Sequence, residues 1–156
     1  IYMSPDFRII TEMACSHHEK WDGTGYYRHL KGEEITLGGR ILAVADVFDA
    51  ITSKRHYRDK MPIANVLDIL MKGAGSHFDK NLVDTFMSIS CSKIIRVFLS
   101  EYNGQMNPND EELLKQYDLM SIYRFVNSEN LSAESQKVVD LFNHYYLGKS
   151  QEEKEQ

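Results

Sequence analysis

Two adjacent imidazoles, His17 and His18, stand immediately before a glycine-rich stretch, WDGTGYY, that also holds Asp22. Neutral imidazole and carboxylate are the donors that borderline divalent metals such as iron, manganese and zinc take. A histidine pair alone is also compatible with the surface end of a helix. Asp46 adds weight to the metal reading. It lies in the run RILAVADVFDAI, and a carboxylate on an otherwise apolar helix must be paired, hydrogen-bonded or bound to a cation, because burying it bare is costly. The alternative for Asp46 is a capping role or a pair with Arg40 or Arg55. On the metal reading, His17, His18 and Asp46 converge on one cation.

The elements that must bring these residues together are helical. Pro5 opens a segment with apolar residues Phe7, Ile10, Met13 and Cys15 near helical spacing, which predicts a helix over 5–19 with Pro5 in its first turn. Five glycines between Trp21 and Gly39 predict a loop, and a long loop in a compact domain is more often functional than not. Ile41, Val44, Ala45, Phe48 and Ile51 recur at three- and four-residue intervals, so 39–53 reads as a helix with these on its buried face and with Asp46, Asp49 and Ser53 on another. After a charged loop at 54–61, a helix from Pro62 buries Ile63, Val66, Leu67 and Leu70 and ends at Gly73 and Gly75. One long helix over 79–102, begun by Asp79, and two amphipathic helices over about 109–126 and 132–147 complete the pattern, followed by a polar tail too hydrophilic to pack. No alternating strand pattern of useful length is present, so the expected class is all-α.

The chain has 156 residues, 42% of them apolar, enough for one sizeable core. A net charge of -5 argues against nucleic acid or an anionic membrane as a partner, since both demand a dense cationic footprint, while a small anionic ligand held by local arginines is allowed. Cys15 and Cys91 are the only cysteines and stand in no CxxC spacing, so neither a disulfide framework nor a thiolate zinc site is indicated and a cytoplasmic setting is expected. No apolar run is long enough for a membrane span. The first residue is Ile rather than Met, so further chain, including a sensory or regulatory segment, is expected upstream.

Three blocks in order, HHEKWDGTGYY, RILAVADVFDAITSKRHYR and GSHFDKNLVDTF, resemble successive blocks of the HD-GYP family. The resemblance runs from about residue 5 to 88. It implies an HD-superfamily helical core that binds divalent metals, iron or manganese foremost, and hydrolyses cyclic di-GMP or a related cyclic dinucleotide. Carried over position by position, it makes His17, His18 and Asp46 metal ligands, Tyr26 a substrate contact as the tyrosine of the signature, and Arg55 and Arg58 contacts to substrate phosphates; a solvated charged loop is the alternative for the two arginines. Glu19, Asp22, Gly25 and Asp49 are expected to orient ligands or shape the loop, Asp22 either by holding an imidazole or through an Asx-turn, with the surface end of its helix as the alternative for Glu19. No catalytic residue is assigned. Residues 1–88 are then the C-terminal part of an HD-GYP-type phosphohydrolase domain and 89–156 a helical extension, whose amphipathic helices within 103–156 either finish the core or form a dimer surface.

The pattern also departs from the family. The His-Asp doublet and its neighbouring ligands belong well upstream of His17, which only 16 residues precede, and no His-Asp dipeptide occurs in the chain. Tyr27, His56 and Lys80 stand where the family has prolines, and Arg58 where lysine is common; each lost proline removes a fixed φ. Two readings result. In one, the intact protein is a metal-dependent cyclic-dinucleotide phosphodiesterase of which this chain alone is inactive. In the other, the chain is a degenerate, non-catalytic regulatory or interaction module.

Overall fold

The computed structural model describes residues 5–26, 28–53, 60–101 and 103–148. Arg55, Arg58, Tyr27, His56 and the polar tail beyond 148 lie outside the described residues. The helices are α1 (Pro5–Ser16), α2 (Leu37–Thr52), α3 (Ile63–Gly73), α4 (Lys80–Met87), α5 (Cys91–Ser100), α6 (Pro108–Lys115), α7 (Leu119–Val126) and α8 (Ala133–Leu147), with a short 3-10 turn at Gly32–Glu34. Only two isolated bridges represent β pairing among the described residues, so the class is all-α as the sequence predicts. The chain divides into two compact units, Ile1–Thr85 and Phe86–Gln156, with the boundary inside α4.

In the first unit α2 packs against both α1 and α3. Thr36 starts α2 by accepting the Gly39 amide at 3.1 Å, one of the orphan donors every helix start must satisfy. Val44 and Phe48 of α2 and Ile63, Val66, Leu67 and Leu70 of α3 are buried, and α3 follows the predicted stripe throughout. Part of the predicted α2 face is not covered, and neither are the apolar residues at the start of α1. Ile41 is 49% exposed, Ala45 is exposed, and on α1 Phe7, Ile9 and Ile10 are each more than half exposed. Periodicity identifies which residues share a helix face; how much of that face another element covers depends on packing, and of the predicted α2 face Val44 and Phe48 are buried while Ile41 and Ala45 are not.

In the second unit α8 contacts α5, α6 and α7, burying Val138, Phe142 and Tyr146. The single helix expected over 79–102 is two helices. The chain breaks at the run Ser88-Ile89-Ser90, where Ser90 becomes the residue before α5 and the backbone turns to other partners: Leu119 donates to the Ile89 carbonyl and Cys91 donates to that of Tyr117. Serines compete for backbone hydrogen bonds and weaken helix continuity. The segment 109–126 is likewise split, because Asp118 caps a new helix through the Ser121 amide at 2.7 Å. Cys91 is buried, and burial, followed by the nearby Asp118 charge, pushes its thiol up to about 12, making it a packing residue and not a nucleophile.

The burial pattern makes a paired prediction. Leu70, fully buried, should lose about 2–5 kcal/mol of stability on Leu70→Ala substitution. Ile41→Ala should change it by no more than about 0.5 kcal/mol. Urea denaturation of both variants measures the difference, and equal losses would contradict the assignment of α2's inward face.

Candidate metal and substrate site

The C-terminus of α1 is locked onto the N-terminus of α2, and this places the histidine pair. Ser16, fully buried, donates to the Glu12 carbonyl at 2.6 Å and lies 3.1 Å from the Thr36 hydroxyl. Gly39 makes the approach possible: a Cβ there would run into the Ser16 hydroxyl. His17 and His18 follow directly, with ring centroids 3.9 Å apart. His17 Nδ1 lies 2.7 Å from the Ala14 carbonyl oxygen. A carbonyl only accepts, so Nδ1 carries a proton, and in the neutral imidazole Nε2 then keeps its lone pair, the tautomer a metal ligand needs. His18 is exposed and His17 half-buried.

The loop that follows is fixed at several points. Trp21 and Asp22 donate their amides to the carbonyls of His77 and Ser76 at 3.1 and 2.9 Å, and Gly32 donates to Trp21 at 2.9 Å. Asp22 Oδ1 accepts both the Thr24 hydroxyl at 2.7 Å and the Thr24 amide at 2.9 Å, an Asx-turn. Those two bonds, the hydroxyl first, hold the Asp22 carboxyl below its usual range. Their contribution to the folded loop is therefore complete above the ordinary value of 3.8 and is lost as pH falls through the lower folded one. Gly25 is buried so closely on the preceding turn that a Cβ would stand 2.6 Å from the Glu19 Cα. Tyr26 then emerges 72% exposed, its ring edge-on to His18 at 6.3 Å between centroids.

Beneath this loop lies an ion pair. Arg40 of α2 donates through Nη1 to Asp79 Oδ2 at 2.8 Å, with side-chain exposures of 16% and 6%. The other Asp79 oxygen caps α4 by accepting the Asn81 amide at 3.0 Å. The Arg40 guanidinium also lies 5.6 Å from the centre of the Trp21 ring, a cation–π contact that ties the loop to the pair. Glu19, Trp21, Arg40, His77 and Asp79 line one cavity of about 10 Å³.

The predicted site residues thus divide. His17, His18 and Tyr26 come together, and Glu19, Asp22 and Gly25 build the loop around them. Asp46 is exposed on α2, so water satisfies it and the burial argument for a bound cation does not apply to it; nor does it pair with Arg40, which Asp79 holds. Asp49 is exposed and accepts from the Ser53 hydroxyl at 3.3 Å. Among the described residues, no three His, Cys, Asp or Glu side chains form a group able to hold a metal, so the expected convergence of His17, His18 and Asp46 is not present. Two neighbouring imidazoles with fixed ring orientation fit as part of a donor set; by themselves they do not complete one. The pair Arg40–Asp79 was not predicted as part of the site. Its signal was the isolated arginine in an apolar helix, which demands a counter-charge as surely as Asp46 seemed to.

A family model described as an HD domain matches residues 3–82. The chain is 46% identical over 81 residues to a cyclic di-GMP phosphodiesterase of Vibrio cholerae, covering 52% of this chain and 16% of that protein. It is 44% identical over 80 residues to the 3'3'-cGAMP-specific phosphodiesterase 2 of the same organism, covering 51% and 15%. To a cyclic di-GMP phosphodiesterase of Thermotoga maritima it is 38% identical over 106 residues, covering 68% and 28%. The chain therefore spans less than a third of the length of these curated relatives.

The ion pair under the loop can be tested by removing one charge. Asp79→Ala strands the Arg40 guanidinium and uncaps α4, and should cost about 3–5 kcal/mol. Asp84→Ala, which breaks the exposed pair with Lys80, should cost at most about 1 kcal/mol. Denaturant midpoints decide, and similar losses for the two variants would reduce Arg40–Asp79 to a surface contact.

Proposed function

Because the chain belongs to the HD-domain family, we propose that the protein is a metal-dependent phosphodiesterase acting on a cyclic dinucleotide, cyclic di-GMP or 3'3'-cGAMP, in the cytoplasm. The observation that carries this reading is the adjacent pair His17–His18, with the His17 tautomer fixed by the Ala14 carbonyl and the Tyr26 ring alongside. Relatives named as phosphodiesterases for these two nucleotides support the substrate class. Residues 1–88 carry the part of the phosphohydrolase domain present here, and 89–156 form its helical extension.

In this proposal His17 and His18 would hold the divalent metal, iron or manganese; Asp46, which does not converge on them here, would count among the ligands only in a complete centre. Such cations lower the pKa of bound water and neutralise charge on the phosphoryl oxygens. The chain's own residues bind and orient. Tyr26, exposed beside the imidazoles, offers a ring face to a base and a hydroxyl to a phosphate. Arg55 and Arg58 supply planar donors suited to phosphate oxygens. The donor set in this chain is too small for turnover on its own, so purified chain supplied with manganese or iron is expected to leave the dinucleotide intact.

A non-hydrolytic binding module is the second reading. It draws on the exposure of Asp46 and the lack of a three-donor group among the described residues. Full-length protein separates the two. The enzyme reading expects His17→Ala to lower metal stoichiometry and abolish hydrolysis, and Arg55→Ala and Arg58→Ala each to weaken nucleotide binding roughly 10- to 150-fold at unchanged metal content. Metal content and turnover indifferent to His17→Ala would remove the histidine pair from the mechanism, and unaltered affinity in both arginine variants would return those residues to a solvated loop.

A further inference from the structure

Among the described residues two carboxylates are buried, Asp79 and Glu19. Asp79 has Arg40 as its counter-charge, whereas Glu19, 4% exposed, has a different set of neighbours. Its Oε1 accepts the backbone amide of Arg28 at 2.6 Å, reaching across the loop. Its Oε2 is buried with no hydrogen-bond partner among the described residues, and so is Arg40 Nε. Both side chains line the same cavity of about 10 Å³, close to the volume that one water centre occupies. An acceptor and a donor, both unsatisfied, on two side chains that line a space of that size, suit a bridging water with a hydrogen bond to each.

Tyr26 supplies the other half of the argument. At 72% exposure its ring has little packing to hold it, so its position beside His18 must come from the backbone that carries it. That backbone is held on one side by Gly25, pressed against the Glu19 backbone, and on the other by Arg28, whose amide Glu19 binds and whose guanidinium reaches Glu12 of α1 at 3.1 Å. We propose that Glu19 is a positioning residue: its buried carboxylate clamps the loop through the Arg28 amide so that Tyr26 stands at the histidine pair, and one ordered water joins its second oxygen to Arg40. The loop clamp stands on geometry alone; its bearing on substrate rests on the phosphodiesterase reading.

Two measurements test it. The first uses the chain alone. A short bond to a carboxylate should place the Arg28 amide proton well downfield, and Glu19→Gln, which keeps an acceptor but removes the charge, should move it upfield while preserving protection from exchange. Glu19→Ala should raise Arg28 amide exchange roughly tenfold or more, with the Trp21 amide, bonded to His77, much less affected. An Arg28 proton indifferent to Glu19→Gln overturns the clamp even if the alanine variant fails to fold. The second uses full-length protein with cyclic di-GMP or 3'3'-cGAMP at constant metal stoichiometry. Glu19→Ala and Tyr26→Ala should each raise KM more than they lower kcat, Glu19→Gln should restore most of the loss, and the double alanine variant should be no worse than the poorer single one. Multiplying effects in the double variant would show that Glu19 acts elsewhere than through Tyr26. A KM unmoved by Tyr26→Ala, with the Arg28 proton responding as expected, leaves the clamp standing and counts against the substrate role proposed for the tyrosine.

Discussion

A guanidinium inside a helical unit needs a counter-charge, and in the first unit Arg40 finds it in Asp79. Neither residue is free to leave: removal of one partner of a buried pair strands the other in a poorly solvating environment. Asp79 also caps α4, and Arg40 also lies against Trp21, so one contact fixes a helix start, a helix face and the loop between α1 and α2. The histidine pair touches neither charge. Its position nonetheless depends on them, because the loop leaving His18 is pinned at Trp21 and Asp22 to the turn that ends in Asp79.

This arrangement separates stability from chemistry. The groups proposed to meet a ligand, His18 and Tyr26, are exposed, while the groups that hold their backbone, Ser16, Glu19, Gly25 and Asp79, are buried. Side chains at a binding surface have to remain available to a partner, so they cannot also be held by the core. The buried residues beneath them perform that task through backbone bonds: Glu19 to the Arg28 amide, Ser16 to the Glu12 carbonyl and Asp79 to the Asn81 amide.

The class of the fold and the stripe on α3 were legible because periodicity and capping residues are local signals, and α3 is covered along its whole apolar face. The face of α2 was legible only in part, Val44 and Phe48 but not Ile41, since exposure depends on which elements arrive beside a residue. The breaks at Ser88–Ser90 and before Asp118 were written in the sequence as serine and aspartate, yet apolar residues on both sides masked them. At the site, adjacency revealed His17 and His18, and the glycines revealed the loop. The buried arginine's partner was not legible, because the two are 39 positions apart and only packing selects Asp79 from among many carboxylates. For Asp46 too, the sequence placed the residue on a helix without fixing what would face it.

That separation of 39 residues also orders events during synthesis. A ribosome delivers α1, the histidines, the loop and α2 before it delivers Asp79, so for an interval Arg40 has no counter-charge and Trp21 no His77 carbonyl to meet. Long-range contacts of this kind close late, after their loop entropy has been overcome by the packing of intervening segments. The nascent first unit can form its helices early, but the surface around His18 takes shape only when the start of α4 has docked. On the proposed function, ligand competence is then acquired only at the completion of that unit, and a translation pause before Asp79 is expected to expose a helical but unfinished intermediate.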